Sequence, residues 1–158
     1  MGAVCYNYDI SQEKEMVVLV CTFFGHRECY GLDKERLEQT IEALIGQGVK
    51  TFYVGNQGQF DAAVAAVLRK LQQKYPEIHY AVVLAYLPVK RQETSSLDHE
   101  IFPEGIEVGP PKFAIQRRNR WMLARAEYVV CFVQREFGGA HQFLQVAKRL
   151  GKRVINLG

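Results

Sequence analysis

Four short segments hold the residues whose types and spacing could do chemistry. The first is Gly25-His26-Arg27-Glu28, the second Gly55-Asn56-Gln57-Gly58 with Asp61 three residues on, the third Arg118-Asn119, and the fourth Gly138-Gly139-Ala140. Glycine lets the main chain turn tightly and lets a ligand approach the amides. A helix starting just beyond adds unpaired N–H donors and a partial positive charge. Together the three glycine segments read as an anion cradle for phosphate, against the plainer reading of ordinary strand-to-helix turns. Arg118 would pair with the phosphate, and Asn119 would read a polar edge of a base or a ribose. The alternative is an asparagine satisfied by a loop and an arginine reaching solvent. His26 offers acid/base chemistry, a hydrogen bond to ligand, or a turn-stabilising contact. Asp61 is an N-cap, a ribose ligand or a base. His26, Glu28 and Asp61 are the candidates for proton or charge chemistry. Cys29 has no histidine–asparagine arrangement that would make it a nucleophile.

Regular elements must hold these segments. Met16 to Phe24 is apolar throughout and β-branched, as a strand buried on both faces must be. Asp33 can cap a helix with Leu37, Ile41, Leu44 and Ile45 inward, stopped by Gly46 or Gly48. Thr51 to Val54 is a second strand. Val64, Val67, Leu68, Leu71 and Tyr75 stripe a second helix, which Pro76 ends. Ile78 to Leu87 is a third strand. Residues 89–110 show no period, as in a lid or binding loop. Pro111 opens a third helix through about Arg125, with Ile115, Met122 and Ala126 marking its inward stripe. On that stripe Asn119 faces in and Arg118 borders it, while Arg117 and Arg120 are solvated. Phe60, Tyr86 and Trp121 are read as core. Tyr128 to Val133 is a fourth strand. Gly138-Gly139 opens a fourth helix with Phe143, Ala147 and Leu150 inward, and Arg153 to Leu157 is a fifth strand. Strands alternating with helices give an α/β, Rossmann-like, doubly wound fold: a central, mostly parallel five-stranded sheet with helices on both faces. Residues 15–158 are a single domain after a tail of residues 1–14.

Composition narrows the class. The chain has 158 residues, 48% apolar and 23% charged, which is ordinary for one globular domain and excludes disorder and disulfide scaffolds. The net charge of +3 disfavours a dedicated nucleic-acid binder. Cys5, Cys21, Cys29 and Cys131 lack zinc spacing, so no metal is expected. Cys21 and Cys131 sit in apolar runs, a usage that suits a reducing, cytoplasmic setting. No secretory leader and no membrane-spanning segment is visible. GxGxxG after the first strand and GxxxxGK[ST] are both absent, which removes the main support for nicotinamide-dehydrogenase and P-loop readings. No cofactor is expected.

The chain resembles the SLOG superfamily, which holds the LOG phosphoribohydrolases and the DprA core, and within it the YpsA-like bacterial branch. The resemblance rests on TFFGHRE (Thr22–Glu28), GNQGQFD (Gly55–Asp61), LAYLP (Leu84–Pro88), FPEGIE (Phe102–Glu107), AIQRRNRWM (Ala114–Met122) and GGAHQFLQVAKRLGKRVINL (Gly138–Leu157). It implies a nucleotide-binding fold that forms a homodimer or higher homo-oligomer and takes a nucleotide-like small molecule as its partner. LOG enzymes cleave the N-glycosidic bond of nucleoside monophosphates through the signature PGGxGTxxE. Here Gly138 and Gly139 keep the paired glycines, while Phe137, His141, Gln142 and Gln145 replace Pro, Gly, Thr and Glu. The LOG arginine–lysine pair falls on Arg118 and Asn119. A ribosyl-cation transition state needs nearby negative charge, and a neutral Gln145 does not supply it. The expected function is therefore binding or sensing of a nucleotide or nucleotide-derived ligand, ADP-ribose-like or signalling, in metabolism or in conflict between bacteria and phage. The alternative is an N-glycosidase acting on a nucleoside phosphate. Single-stranded DNA binding, by analogy with DprA, finds no basic-aromatic stripe to support it.

Overall fold

The computed structural model describes residues 17–87 and 99–158. The expected tail of residues 1–14 and most of the first half of the expected loop lie outside them. The order is β1 (Leu19–Gly25), α1 (Lys34–Gly46), β2 (Val49–Val54), α2 (Gly58–Lys74), β3 (His79–Val83), β4 (Glu100–Ile101), a 3-10 turn (Pro111–Phe113), α3 (Ala114–Arg125), β5 (Tyr128–Phe132), α4 (Gly139–Arg149) and β6 (Arg153–Asn156).

The strands form one sheet in the order β4-β3-β2-β1-β5-β6, and every neighbouring pair is parallel. The expected α/β architecture is present, with six strands rather than five. The extra strand, Glu100–Ile101, sits inside the segment read as loop. Two residues against Val82 and Val83 are too few to leave a hydrophobic period. Strand limits shift as well. β1 starts at Leu19 rather than Met16, β2 starts at Val49 rather than Thr51, and β3 stops at Val83 rather than Leu87.

The sheet separates two cores. Leu37, Ile41 and Leu44 of α1 and Val64, Leu68 and Leu71 of α2 pack on one face with Phe23, Phe52 and Phe132. Met122 and Leu123 of α3 and Phe143, Leu144 and Ala147 of α4 pack on the other with Phe24, Val129 and Cys131. Covered on both sides, β1 and β5 carry nearly unbroken apolar runs. Asp33 caps α1 as expected, its carboxylate accepting from Arg36 N–H at 3.0 Å. Phe60 is core, but Tyr86 is 47% exposed, and Leu150, expected inward, is 58% exposed at the end of α4. Trp121 is half-buried, packed edge-on against Tyr53. Arg117, expected in solvent, instead pins the turn before α3, donating to Ile106 O at 2.6 Å and Pro110 O at 2.8 Å.

From β1 the chain builds outward through β2, β3 and β4, then returns to place β5 on the other side of β1. The loops leaving β1 and β5 therefore diverge to opposite faces, which opens a crevice at the carboxyl ends of those two strands.

The crevice needs Gly25 for reasons of space. A Cβ there would stand 2.3 Å from Cγ and 2.5 Å from Cβ of Phe60, itself fully buried and stacked on Phe132. Gly25→Ala is expected to destabilise the chain by about 1–3 kcal/mol through overpacking, read as a lower urea midpoint at unchanged slope.

Candidate functional site

A cavity of about 520 Å³ occupies that crevice. Its wall on the β1 side is Phe23 to Glu28. Gln57 and Asp61 come from the start of α2, Ile115, Arg118, Asn119 and Met122 from α3, and Arg135, Gly138, Gly139 and Ala140 from the β5–α4 connection. A cavity of this size suits a small-molecule ligand.

Arg118 is the best-buried charge, 2% exposed. Its Nε donates to Asn119 Oδ1 at 2.8 Å, and its Nη1 donates to Val83 O at 3.1 Å and Asn56 Oδ1 at 3.3 Å. Nη2 has no partner among the described residues. Since no buried side-chain nitrogen or oxygen there is left without one, Nη2 is the part of the group open to the cavity. Helix periodicity had the wrong neighbour facing in: Ala114, Arg118 and Met122 are buried, and Asn119 is only half-buried.

Asp61 is 8% exposed and is not the N-cap of α2, a position held by Gln57. Its Oδ2 accepts from Gln57 N–H at 2.9 Å, and Oδ1, without a partner among the described residues, opens on the cavity. Burial raises its pKa to about 6, against the lowering effects of that hydrogen bond and of Arg118. Asp61 and Arg118 form no direct ion pair. They flank Gly55, where a Cβ would stand 2.7 Å from both Arg118 Nη1 and Asp61 Oδ2. Gly55 therefore makes room for the two charges, and it does not line the cavity. Gly58 packs on Arg27 and also lies outside the lining. Asn56 is exposed outside it too, and acts by holding Arg118.

His26 is 5% exposed. Its Nε2 accepts from Gln134 N–H at 3.0 Å, which assigns the proton to Nδ1. Burial and the charge of Arg135 lower its pKa, so the ring is neutral at pH 7 and offers Nδ1–H to the cavity. Arg27 and Glu28 are exposed at the rim. Cys29 donates its thiol to His26 O at 3.3 Å. Burial and then the Asp61 charge raise its pKa, the reverse of what a nucleophile needs.

The two helix N-termini differ. In α2, Gln59 N–H is taken by Arg27 O at 2.8 Å and Gln57 N–H by Asp61. In α4, Gly138 occupies the N-cap at φ 92°, a left-handed conformation that suits glycine, with no side chain capping the amides. The first bond within α4 is Gln142 N–H to Gly138 O, so the amides of Gly139, Ala140 and His141 precede the helical ladder. The approach is fixed by Asn156, which accepts from Val133 N–H and donates to Val133 O, both at 3.0 Å. The structure thus brings Gly25, His26, Arg27, Glu28, Asp61, Arg118, Asn119, Gly138, Gly139 and Ala140 to one cavity, and leaves Gly55, Asn56 and Gly58 behind it. Sequence reasoning missed Arg135 and Gln57. Arg135 lies three residues before Gly138 in the same connection, a spacing that could have drawn attention to it. Gln145 is exposed on α4 and does not line the cavity. Among the described residues no cluster fit to hold a metal is present, and no helix is long and apolar enough to cross a membrane.

No protein-family model matches the chain. It is similar to a UPF0398 protein of Halalkalibacterium halodurans, 30% identical over 127 residues, covering 73% of this chain and 67% of the relative. In fold it is similar to the X-ray structure of DNA processing protein A (DprA) from Streptococcus pneumoniae, with a TM-score of 0.62 at 17% identity; the match covers 88% of this chain and only half of that one.

Asp61 gives this site a pH signature. The folded carboxyl holds its proton up to about pH 6, whereas the ordinary value is 3.8. Across that window the folded state binds more protons than the unfolded one, so stability falls as pH rises through it. Asp61→Asn does not titrate. At pH 7.5 it should exceed the wild type by about 1–3 kcal/mol in urea unfolding, with the gap closing towards pH 4.

Proposed function

The chain belongs to the SLOG superfamily, in its YpsA-like branch, and from that premise we propose that it binds or senses a nucleotide or nucleotide-derived ligand at the carboxyl edge of its sheet. One observation carries the reading. The uncapped N-terminus of α4 and the open Nη2 of a buried arginine face the same cavity. Amides at a helix start favour an anion, and Arg135, exposed on the approach to α4, adds a cation to the same cavity. The neutral Nδ1–H of His26 is one more donor. A phosphoryl group is the ligand part that the α4 amides, Arg135 and His26 suit, which leaves Nη2 of Arg118 for the part of the ligand beyond it. Asp61, Asn119 and the rest of the 520 Å³ leave room for the sugar and base. Within the same proposal the chain acts as a homodimer in the cytoplasm.

The DprA neighbour is named for DNA processing. At 17% identity that likeness speaks for the fold. A net charge of +3 on 158 residues favours a small ligand over a nucleic-acid backbone.

Asp61 supports a second reading. A carboxyl with its pKa raised to about 6, open on the cavity through Oδ1, is suited to acid/base or charge stabilisation in N-glycosidic cleavage. Incubation with nucleoside phosphates, followed by chromatography for free base, separates the two. Release of base that Asp61→Asn abolishes would make the chain an N-glycosidase.

Calorimetry with nucleoside mono- and diphosphates and ADP-ribose should find at least one micromolar ligand. Arg135→Ala should weaken it by about five- to tenfold, the worth of one charged contact, without lowering the thermal midpoint. No heat with any member, together with no small molecule retained in native mass spectra of protein from cells, would reject the binding reading.

A further inference from the structure

Resting on the nucleotide-binding reading above, we propose that Asp61 and Arg118 form a subsite for the vicinal hydroxyls of a pentose, so that the cavity selects ribosides over 2′-deoxyribosides. Both side chains are more than nine-tenths buried, and each keeps one polar end free of partners among the described residues: Oδ1 of Asp61, an acceptor, and Nη2 of Arg118, a donor. The other ends are spoken for. Gln57 N–H holds Oδ2, and Asn119, Val83 and Asn56 hold Nε and Nη1. The pair is therefore fixed in place before any ligand arrives.

The spacing sets the chemistry of the guest. Nη1 of Arg118 and Oδ2 of Asp61, the ends already held, border the space where a Cβ on Gly55 would lie, so the two side chains are neighbours that form no direct ion pair, and both line the one cavity. An acceptor and a donor side by side, neither satisfied by the other, fit a group that both gives and takes hydrogen bonds. Adjacent sugar hydroxyls do so: one donates to Oδ1 while its neighbour accepts from Nη2. A phosphoryl group fits poorly here, because its oxygens have no proton to give and face the Asp61 carboxylate. The other charges near Asp61 leave that balance in place. Arg118 approaches from α3, and Cys29 feels Asp61 as a negative neighbour; Arg27, exposed at the rim, meets Gly58 through its main chain and the base of its side chain. Phosphate is better served by the amides that open α4, with Arg135 beside them.

Calorimetry with matched pairs tests this: AMP against dAMP, ribose 5-phosphate against 2-deoxyribose 5-phosphate, and inorganic phosphate as the common part. The wild type should prefer each ribo member by about tenfold or more, because a site built for a hydroxyl rejects the analogue that lacks it. Asp61→Asn should bring the ratio to within about twofold while binding inorganic phosphate at least as well as the wild type. Arg135→Ala should weaken both members of each pair alike and leave the ratio unchanged. Equal affinity within both pairs on the wild type overturns the diol assignment and leaves nucleotide binding standing. A ratio that depends on the base and survives Asp61→Asn assigns the subsite to a base edge and also overturns it. No binding by any nucleotide or sugar phosphate overturns both readings. If Asp61→Asn fails to fold, the wild-type pairs decide alone.

Discussion

A buried guanidinium organises the crevice. Arg118 lies almost wholly out of water, and such a charge is tolerated only where its donors find acceptors and a counter-charge is near. Here the acceptors come from three separate places: the last residue of β3, the loop after β2 and the next residue of α3 itself. Asp61 supplies charge from α2 without touching it. The bond to Val83 O ties α3 to the far half of the sheet, and only four helical residues of α3 separate Arg118 from the turn that Arg117 pins. The angle at which α3 passes the crevice is thus fixed by hydrogen bonds at its start and by Met122 and Leu123 in the core further along. Removing the guanidinium would strand Asp61 and unseat one wall of the cavity together.

The same economy explains why only one of two glycine-opened helices leaves its first amides unpaired. The loop after β2 closes on itself and on the β1 exit, and its donors are consumed in holding α2, Asp61 and Arg27 together. The connection after β5 does the opposite. It is clamped early, at Val133 by Asn156 and at Gln134 by His26, and then released. Beyond the clamp, glycine at the cap position supplies no side chain, and the amides stay open. Rigid before the site and unpaired at it is the arrangement that preorganised binding asks for.

Much of this was legible in the residues. β1 and β5 announce themselves as apolar runs, Asp33 as a cap, and the glycine pair at 138–139 as the mouth of a helix. Of the three expected glycine segments, those after β1 and β5 line the cavity and the glycines of the one after β2 lie behind it. What was not legible has physical causes. One residue is about 100° of helix, so a stripe drawn through Ile115, Met122 and Ala126 does not decide between Arg118 and Asn119, and residue type argues for the wrong one. Burial of the arginine depends on Val83, Asn56 and Asp61, which are remote in sequence. Asp61 looked like a cap because it stands in the first turn of a helix. Its role depends on Gln57 occupying the cap and on Gly55 leaving space, neither of which a local pattern states. Arg135 was hidden in a charged loop whose clamps come from β1 and β6.

The question of binding against cleavage comes down to where a carboxylate can stand. A ribosyl cation is helped by negative charge only at a few ångströms and in a site shielded from water, because the attraction falls with both distance and dielectric. Gln145, at the position where the LOG signature has glutamate, is exposed on α4 and outside the cavity. Restoring a glutamate there would place the charge in solvent, where it does little. The loss of that residue therefore does not by itself disarm this cavity, because in this chain the position does not face it. The carboxylate that does face it is Asp61, on the opposite wall, ionised above about pH 6 and held still by Gln57. The same placement serves either outcome. With a sugar's hydroxyls on Oδ1 the group is an anchor, and with the anomeric carbon brought against it the group is a stabiliser of the cation. Under the proposed binding mode, what separates a sensor from a glycosidase is which ribose atom a phosphate held at α4 delivers to Asp61, and the span between the two walls of the cavity sets that.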